Sequence, residues 1–146
     1  MRIPAKDHSD GGFTLTELLI VIVILGVLVA IAVPQFMGQR QKATGATARS
    51  DLRNAATIEE SQLADSGSYV SSLSALTAAG FKRSSGVQLG FAASGSNGYC
   101  EVAAADGTYW WFDSTAGGVQ TATTTALTPP ASASGICKSS APASVS

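Results

Sequence analysis

Residues able to do chemistry are few in this chain, and they lie far apart. Glu17 stands alone at the head of an apolar run, Leu18 to Val33, of 16 residues, 13 of which are Leu, Ile or Val. A carboxylate beside so much hydrocarbon is costly, and an acid that spanning a bilayer does not require is a candidate for function. Cys100 and Cys137 are the two cysteines. They have no Cys-x-x-Cys spacing and no histidine near them, which gives a redox or metal role little basis. Glu59 and Glu60 are neighbours on a helical pattern and diverge around it, so they do not converge on one site. The lone histidine, His8, falls in the polar stretch 1–12 and reads as solvated. There is no phosphate-cradling glycine loop, no metal-ligand cluster and no readable pair of carboxylates. The expectation is a protein that is not an enzyme and needs no cofactor. The chemistry to be explained is that of one acid on a greasy rod.

The rod can cross a membrane. From Phe13 to Val33 there are 21 residues with one charge, and a helix of that length spans roughly 30 Å, the thickness of a hydrocarbon core. Each Leu, Ile or Val favours insertion by very roughly 0.3–0.6 kcal/mol, on the order of 6 in sum. A central acid costs about 2.5–3.5 kcal/mol, and Glu17 lies at the edge, where it costs less. Two plainer readings accompany this one. Ala30-Ile31-Ala32 fits the small-x-small pattern of a secretory signal peptide, although the apolar run is long for one and carries a charge at its head. A simple single-span anchor would leave Glu17 incidental. The first residue of the mature chain separates the three: Phe13, Val33 or Met1.

Gly12-Phe13-Thr14-Leu15-Thr16-Glu17, followed directly by the apolar run, resembles the amino-terminal signature of type IV prepilins and of type II secretion pseudopilins. Gly26 and Pro34 also stand where many such chains carry them. The resemblance covers residues 11 to 34 closely and the remainder only in architecture. It implies cleavage of a leader, residues 1–12, between Gly12 and Phe13 by a prepilin peptidase, and N-methylation of Phe13. It also implies a role for Glu17 in assembly. The partners it implies are copies of the same chain, the peptidase, a platform membrane protein and an assembly ATPase. The chain would be a single-pass precursor in the cytoplasmic (inner) membrane and then part of an extracellular pilus serving adhesion, motility or DNA uptake. Physically, cleavage frees an ammonium on Phe13, and in a dry bundle of rods the Glu17 carboxylate of a neighbour can neutralise it; an unpaired charge there is costly. A pseudopilin or a minor, competence-type pilin shares this assembly chemistry. A membrane-anchored or secreted binding domain acting alone is the reading of a different class.

Behind the rod, the pattern predicts an α+β unit. The expected organisation is leader 1–12, hydrophobic helix 13–34 and globular part 35–146. The long helix should continue past Pro34, which removes one backbone bond, while Gly26 lowers helicity, so the segment between them is the expected kink or weak point. Ala48, Leu52, Ala55, Ala56 and Leu63 recur at helical steps as an amphipathic stripe up to about Ala64, with Arg49, Arg53 and Glu60 opposite. Ser71 to Gly80 reads as a short helix and Phe81 as a plug onto the core. Val87–Phe91, Tyr99–Ala103 and Thr108–Phe112 alternate as strands, with Asp106-Gly107 as a tight hairpin and Val119–Thr123 as an edge strand. One face of this antiparallel sheet should take the helix stripe. Trp110 and Trp111 then point to opposite faces, one into the core and the other toward a subunit or ligand. The tail from Leu127 is low in complexity and reads as loop.

Charge excludes little. The formal net charge is −1 and charged residues make up 13 %, below the ~25 % of an average soluble domain. Arg40, Lys42, Arg49 and Arg53 form a basic edge, but this balance gives nucleic acid no support as a partner. Beyond a membrane the two cysteines meet an oxidising compartment, which favours a Cys100–Cys137 bridge over two buried thiols. Such a bridge would tie the tail back and restrict the unfolded chain by about 3–4 kcal/mol in the entropic model.

Overall fold

The computed structural model describes residues 12–93, 96–120, 122–124, 135–139 and 145. Two compact units divide the chain, Met1–Gln39 and Arg40–Ser146. Helix α1, Leu15–Ser66, contributes to both and is 52 residues long. It runs without a break through Gly26 and Pro34. Its far end is set by Gly67, whose φ of 76° only glycine adopts freely. The Gly67 N–H donates to the Leu63 carbonyl at 2.8 Å. The left-handed step falls at Gly67, the glycine that the Asp65-Ser66-Gly67 stop offers as a cap, and the helix runs two residues beyond Ala64.

Among the described residues of the first unit no side chain is buried. Each Leu, Ile and Val from Leu18 to Val33 is at least 50 % exposed. The second unit is an antiparallel sheet with helices on it. Strands β1 (Gln88–Ala93), β2 (Tyr99–Ala105), β3 (Thr108–Asp113) and β4 (Gly118–Val119) lie in sequence order, each antiparallel to the next. The expected meander is therefore present. Asp106 (φ 49°) and Gly107 (φ 72°) form the two-residue hairpin that closes Ala105 onto Thr108. The edge strand is shorter than expected, and only a Tyr109–Thr123 bridge prolongs it. Helix α2, Leu73–Ala78, begins where Ser72 Oγ accepts from the Ala75 N–H.

Alternation along the strands sorts the core into two layers. On the helix side Ala48, Leu52 and Ala55 of α1 meet Leu76, Phe81, Val87, Leu89, Ala103, Ala105 and Trp110. The stripe, the Phe81 plug and the inward Val87, Leu89 and Phe91 stand as read from the sequence. On the other side Cys100, Val102, Trp111 and Cys137 cluster with Tyr109, Ile136 and Val145. The expectation of one covered face and one outward tryptophan is thus corrected: Trp110 is 8 % exposed and Trp111 is fully buried. The part of the tail around helix α3, Ile136–Ser139, lies over the second face. That helix also replaces loop in the tail; much of the remainder of 121–146, like residues 1–11 of the expected leader 1–12, falls outside the described residues.

Trp110 packs against α1 where the helix has no side chain. A Cβ at Gly45 would sit 2.9 Å from Trp110 Cζ2, on a rigid ring in the core. We expect Gly45→Val to destabilise the folded chain by about 1–3 kcal/mol through overpacking, measured by chemical denaturation. Ala46→Val, on the exposed side of the same turn, should cost only the few tenths of a β-branched helix residue.

Candidate functional site

The head of α1 is a closed hydrogen-bonded ring. Thr14 Oγ1 accepts from the Glu17 N–H at 3.2 Å, and Glu17 Oε2 accepts from the Thr14 N–H at 2.9 Å and from the Thr14 hydroxyl at 2.8 Å. This is a capping box: residue and cap satisfy one another's orphan groups where the helix has no preceding turn. The negative charge also lies at the positive end of the helix dipole. Glu17 therefore has an occupation within its own subunit, which reading it solely as a neighbour's partner missed. The spacing Thr-x-x-Glu carried that signal.

Phe13, immediately before the cap, is 91 % exposed. Gly12 is exposed and a Cβ there would meet nothing within 4 Å, and the same holds at Gly26. The carboxylate, the Gly12-Phe13 junction and the bare apolar rod thus adjoin one another at one end of the chain. Pro34 lies inside the helix 17 residues further on.

The other sequence-marked pair is joined. Cys100 and Cys137 form a disulfide with their Cα atoms 4.9 Å apart. Asp113, which sequence reasoning passed over, holds the second cysteine in place. Its Oδ2 accepts from the Cys137 N–H at 2.8 Å, and its Oδ1 accepts from the Thr115 N–H, the Thr115 hydroxyl and the Ala116 N–H. Burial pushes the Asp113 carboxyl up, but these four bonds outweigh it and hold it below the usual range. Gly135 leaves the space this clamp needs, since a Cβ there would collide with Thr115 Oγ1 and Asp113.

A third grouping was not foreseen. Glu59 and Glu101 are both fully buried. Glu59 diverges from the exposed Glu60 as expected, yet its charge opposes that of a second acid, Glu101 of β2, a proximity that sequence reasoning did not foresee. Both patterns held the signal: Glu59 continues the Ala48–Leu52–Ala55–Ala56 stripe, and Glu101 shares its strand face with Tyr99 and Ala103. Burial, together with the other carboxylate, pushes Glu101 well above the ordinary value. Glu59 is pushed up to about 7 by burial, against the Val70 N–H that lowers it and with Glu60 that raises it. Among the described residues no group of three or more His, Cys, Asp or Glu side chains is placed to hold a metal ion.

A helix head of this kind on a bare apolar rod, with a small disulfide-tied sheet behind, defines a class of membrane-inserted filament subunits. Residues 7–33 match the prokaryotic N-terminal methylation motif. The type IV wide pilus major component PilA4 of Thermus thermophilus is 34 % identical over 109 residues, 74 % of this chain and 83 % of that one. The type IV major pilin protein PilA of Myxococcus xanthus is 31 % identical over 102 residues, 70 % of this chain and 45 % of its own. The type II secretion system core protein G of Dickeya chrysanthemi is 48 % identical, but over 46 residues, 32 % of this chain and 30 % of that one. The chain belongs to the type IV pilin family.

Asp113→Ala should leave the buried Cys137 N–H without an acceptor and cost about 1–3 kcal/mol, read as a lower denaturation midpoint with the disulfide intact. Because the Asp113 carboxyl is held low, its contribution is present above the unfolded value of about 3.9 and is lost as pH falls through the folded one. The variant should therefore lose less stability than the parent on acidification below about pH 4.

Proposed function

We propose that this chain is the structural subunit of a type IV pilus, cleaved after Gly12, N-methylated on Phe13 and polymerised through residues 13–34. The observation that carries the reading is the uncovered rod: an apolar surface half or more exposed along its whole length is stable only in lipid or against copies of itself. The precursor waits in the cytoplasmic membrane with Glu17 satisfied by its own Thr14. In the filament the freed Phe13 ammonium gives that carboxylate a charged partner on the adjacent subunit and fixes the axial step between them. The assembly platform and ATPase supply the work of lifting the rod out of lipid. The protein acts by assembling and has no catalytic role. The breadth of the two pilin matches, 74 % and 70 % of this chain, favours a pilus over a secretion pseudopilus, because the match to the Dickeya chrysanthemi protein G covers 32 % of it and that to another protein G 50 %.

Gly26 and Pro34 have their own part in this. In one subunit α1 is continuous through both. Between them lies the segment that yields its helical bonds when rods pack closely, since glycine weakens the helix by about 1 kcal/mol and proline removes a donor. A density map of the filament should show that segment extended; a continuous helix through residues 26–34 would remove this part of the reading.

The direct test is Glu17→Val expressed in the native host. The variant should remain in the membrane fraction, be processed, and give no surface filaments by electron microscopy. Intact filaments would take the assembly role from Glu17. Mass spectrometry of the mature parent should find Phe13 first and singly methylated; a chain beginning at Met1 or Val33 would overturn the processing.

A further inference from the structure

Glu101 occupies an unusual place for an acid. It is on the central strand β2, on the face covered by α1, and its cross-strand neighbours are Phe91 on one side and Phe112 on the other. Neither of its carboxylate oxygens has a hydrogen-bond partner, and one oxygen of Glu59 has none either. A buried ionised carboxylate without a donor or a cation is costly enough that the group takes up a proton instead. Two such groups near enough for their charges to interact sharpen the demand, as each ionised one opposes the other.

Among the described residues no donor reaches either oxygen of Glu101 or Oε1 of Glu59. From α1 the groups nearby are Glu59, Glu60 and, at the mouth of the groove lined by Glu60 and Tyr99, Arg53. From the segment after α1 comes Tyr69, whose hydroxyl donates to the Glu60 carboxylate at 3.4 Å. From β2 comes Tyr99, whose hydroxyl donates to the Ala56 carbonyl at 3.4 Å and whose ring lies 4.6 Å from that of Tyr69 and 5.7 Å from that of Phe112. Strands β1 and β3 offer phenylalanines. The oxygen of Glu59 that is bonded, Oε2, accepts from the Val70 N–H at 2.8 Å. The acid pair therefore sits where the end of α1, the segment 67–72 and the sheet converge.

We propose that Glu59 and Glu101 form a proton-operated latch that fastens the end of α1 and residues 67–72 to the sheet, closed when the pair is protonated and loosened when both carboxyls ionise. The proton is the ligand. Closed, the pair tolerates burial and Glu59 keeps Val70. Open, two charges that repel one another are buried without donors for three of their four oxygens, and water must enter. Segment 67–72 moves first, because Glu59 is what holds the Val70 N–H, beside the Tyr69–Glu60 and Tyr69–Tyr99 contacts. The latch belongs to the second unit alone and does not depend on the filament reading.

The sign of the pH effect follows from where the protons are. Both carboxyls are raised in the folded chain, so stability is full below the unfolded glutamate value of about 4.3 and falls as pH rises toward the folded values. Each retained proton raises the unfolding equilibrium constant about tenfold per pH unit across that window. Asp113 acts in the opposite sense but below it.

The test uses the full chain in detergent micelles, unfolded at a series of pH values from about 5 to 8.5 and followed by near-ultraviolet circular dichroism, with amide exchange read at Val70. The expected result for the parent is a midpoint that falls steadily with pH and Val70 exchange that rises beyond the intrinsic base-catalysed increase. Glu101→Gln should flatten both slopes and raise the midpoint at the alkaline end. A parent whose midpoint is flat, or a variant that keeps the parent's slope, overturns the latch. Should Glu101→Gln fail to fold, carbon-13 carboxyl shifts of the parent decide: Glu101 protonated at about pH 6.5 supports it, and ionised at about pH 5 overturns it. Calcium chloride that restores the alkaline midpoint of the parent, with EDTA reversing it, would also overturn it, since a cation rather than a proton would then close the pair.

Discussion

An apolar surface that its own chain leaves uncovered is the constraint on which everything else here rests. The aliphatic side chains of residues 18–33 are half or more exposed, and water does not tolerate a contiguous apolar surface of that length. Lipid and other rods are the environments that relieve it. Because helices gain nothing hydrophobic by leaving lipid for one another, packing and polar contacts decide which environment wins. That places the weight on the polar end of the rod, where Thr14 and Glu17 complete the helix head. The acid at the head of the rod is thereby satisfied within its own chain.

The second unit is built to be carried by such a rod. Its core is modest, with small residues where α1 meets the sheet: Gly45, Ala48, Ala55 and Ala56. Small side chains allow close approach, and Trp110 fills the space that Gly45 leaves. Stability is then supplemented by covalent and polar fastening on the opposite face. The disulfide, the Asp113 clamp and Trp111 form one assembly there. A domain of this size with little apolar bulk gains from such a staple.

Much of this was legible in the residues. Period-2 runs gave the strands, Asp106-Gly107 gave the hairpin, and helical recurrence of Ala48, Leu52 and Ala55 gave the packing stripe, because each is a local pattern with a local cause. The apolar run and the Gly12-to-Glu17 stretch gave the rod and its site. What was not legible depended on distant contacts. Nothing near Trp111 says that a tail some 25 residues later will lie over it. Asp113 looks like an ordinary strand end until Cys137 arrives beside it. Glu59 and Glu101 each break an otherwise apolar pattern, and a polar residue in such a stripe is usually read as an interruption of it. Only the fold shows that both interruptions fall at the same spot.

The brevity of β4 has a consequence for life in a crowd. That flank of the sheet ends in two residues, one of them Gly118 at φ 96°, so it presents almost no ladder of free amide and carbonyl groups to a passing strand. A long, straight margin there would be a template on which a second sheet could add. Brevity at this margin removes one such template, while the six-residue β1 forms the other margin of the sheet.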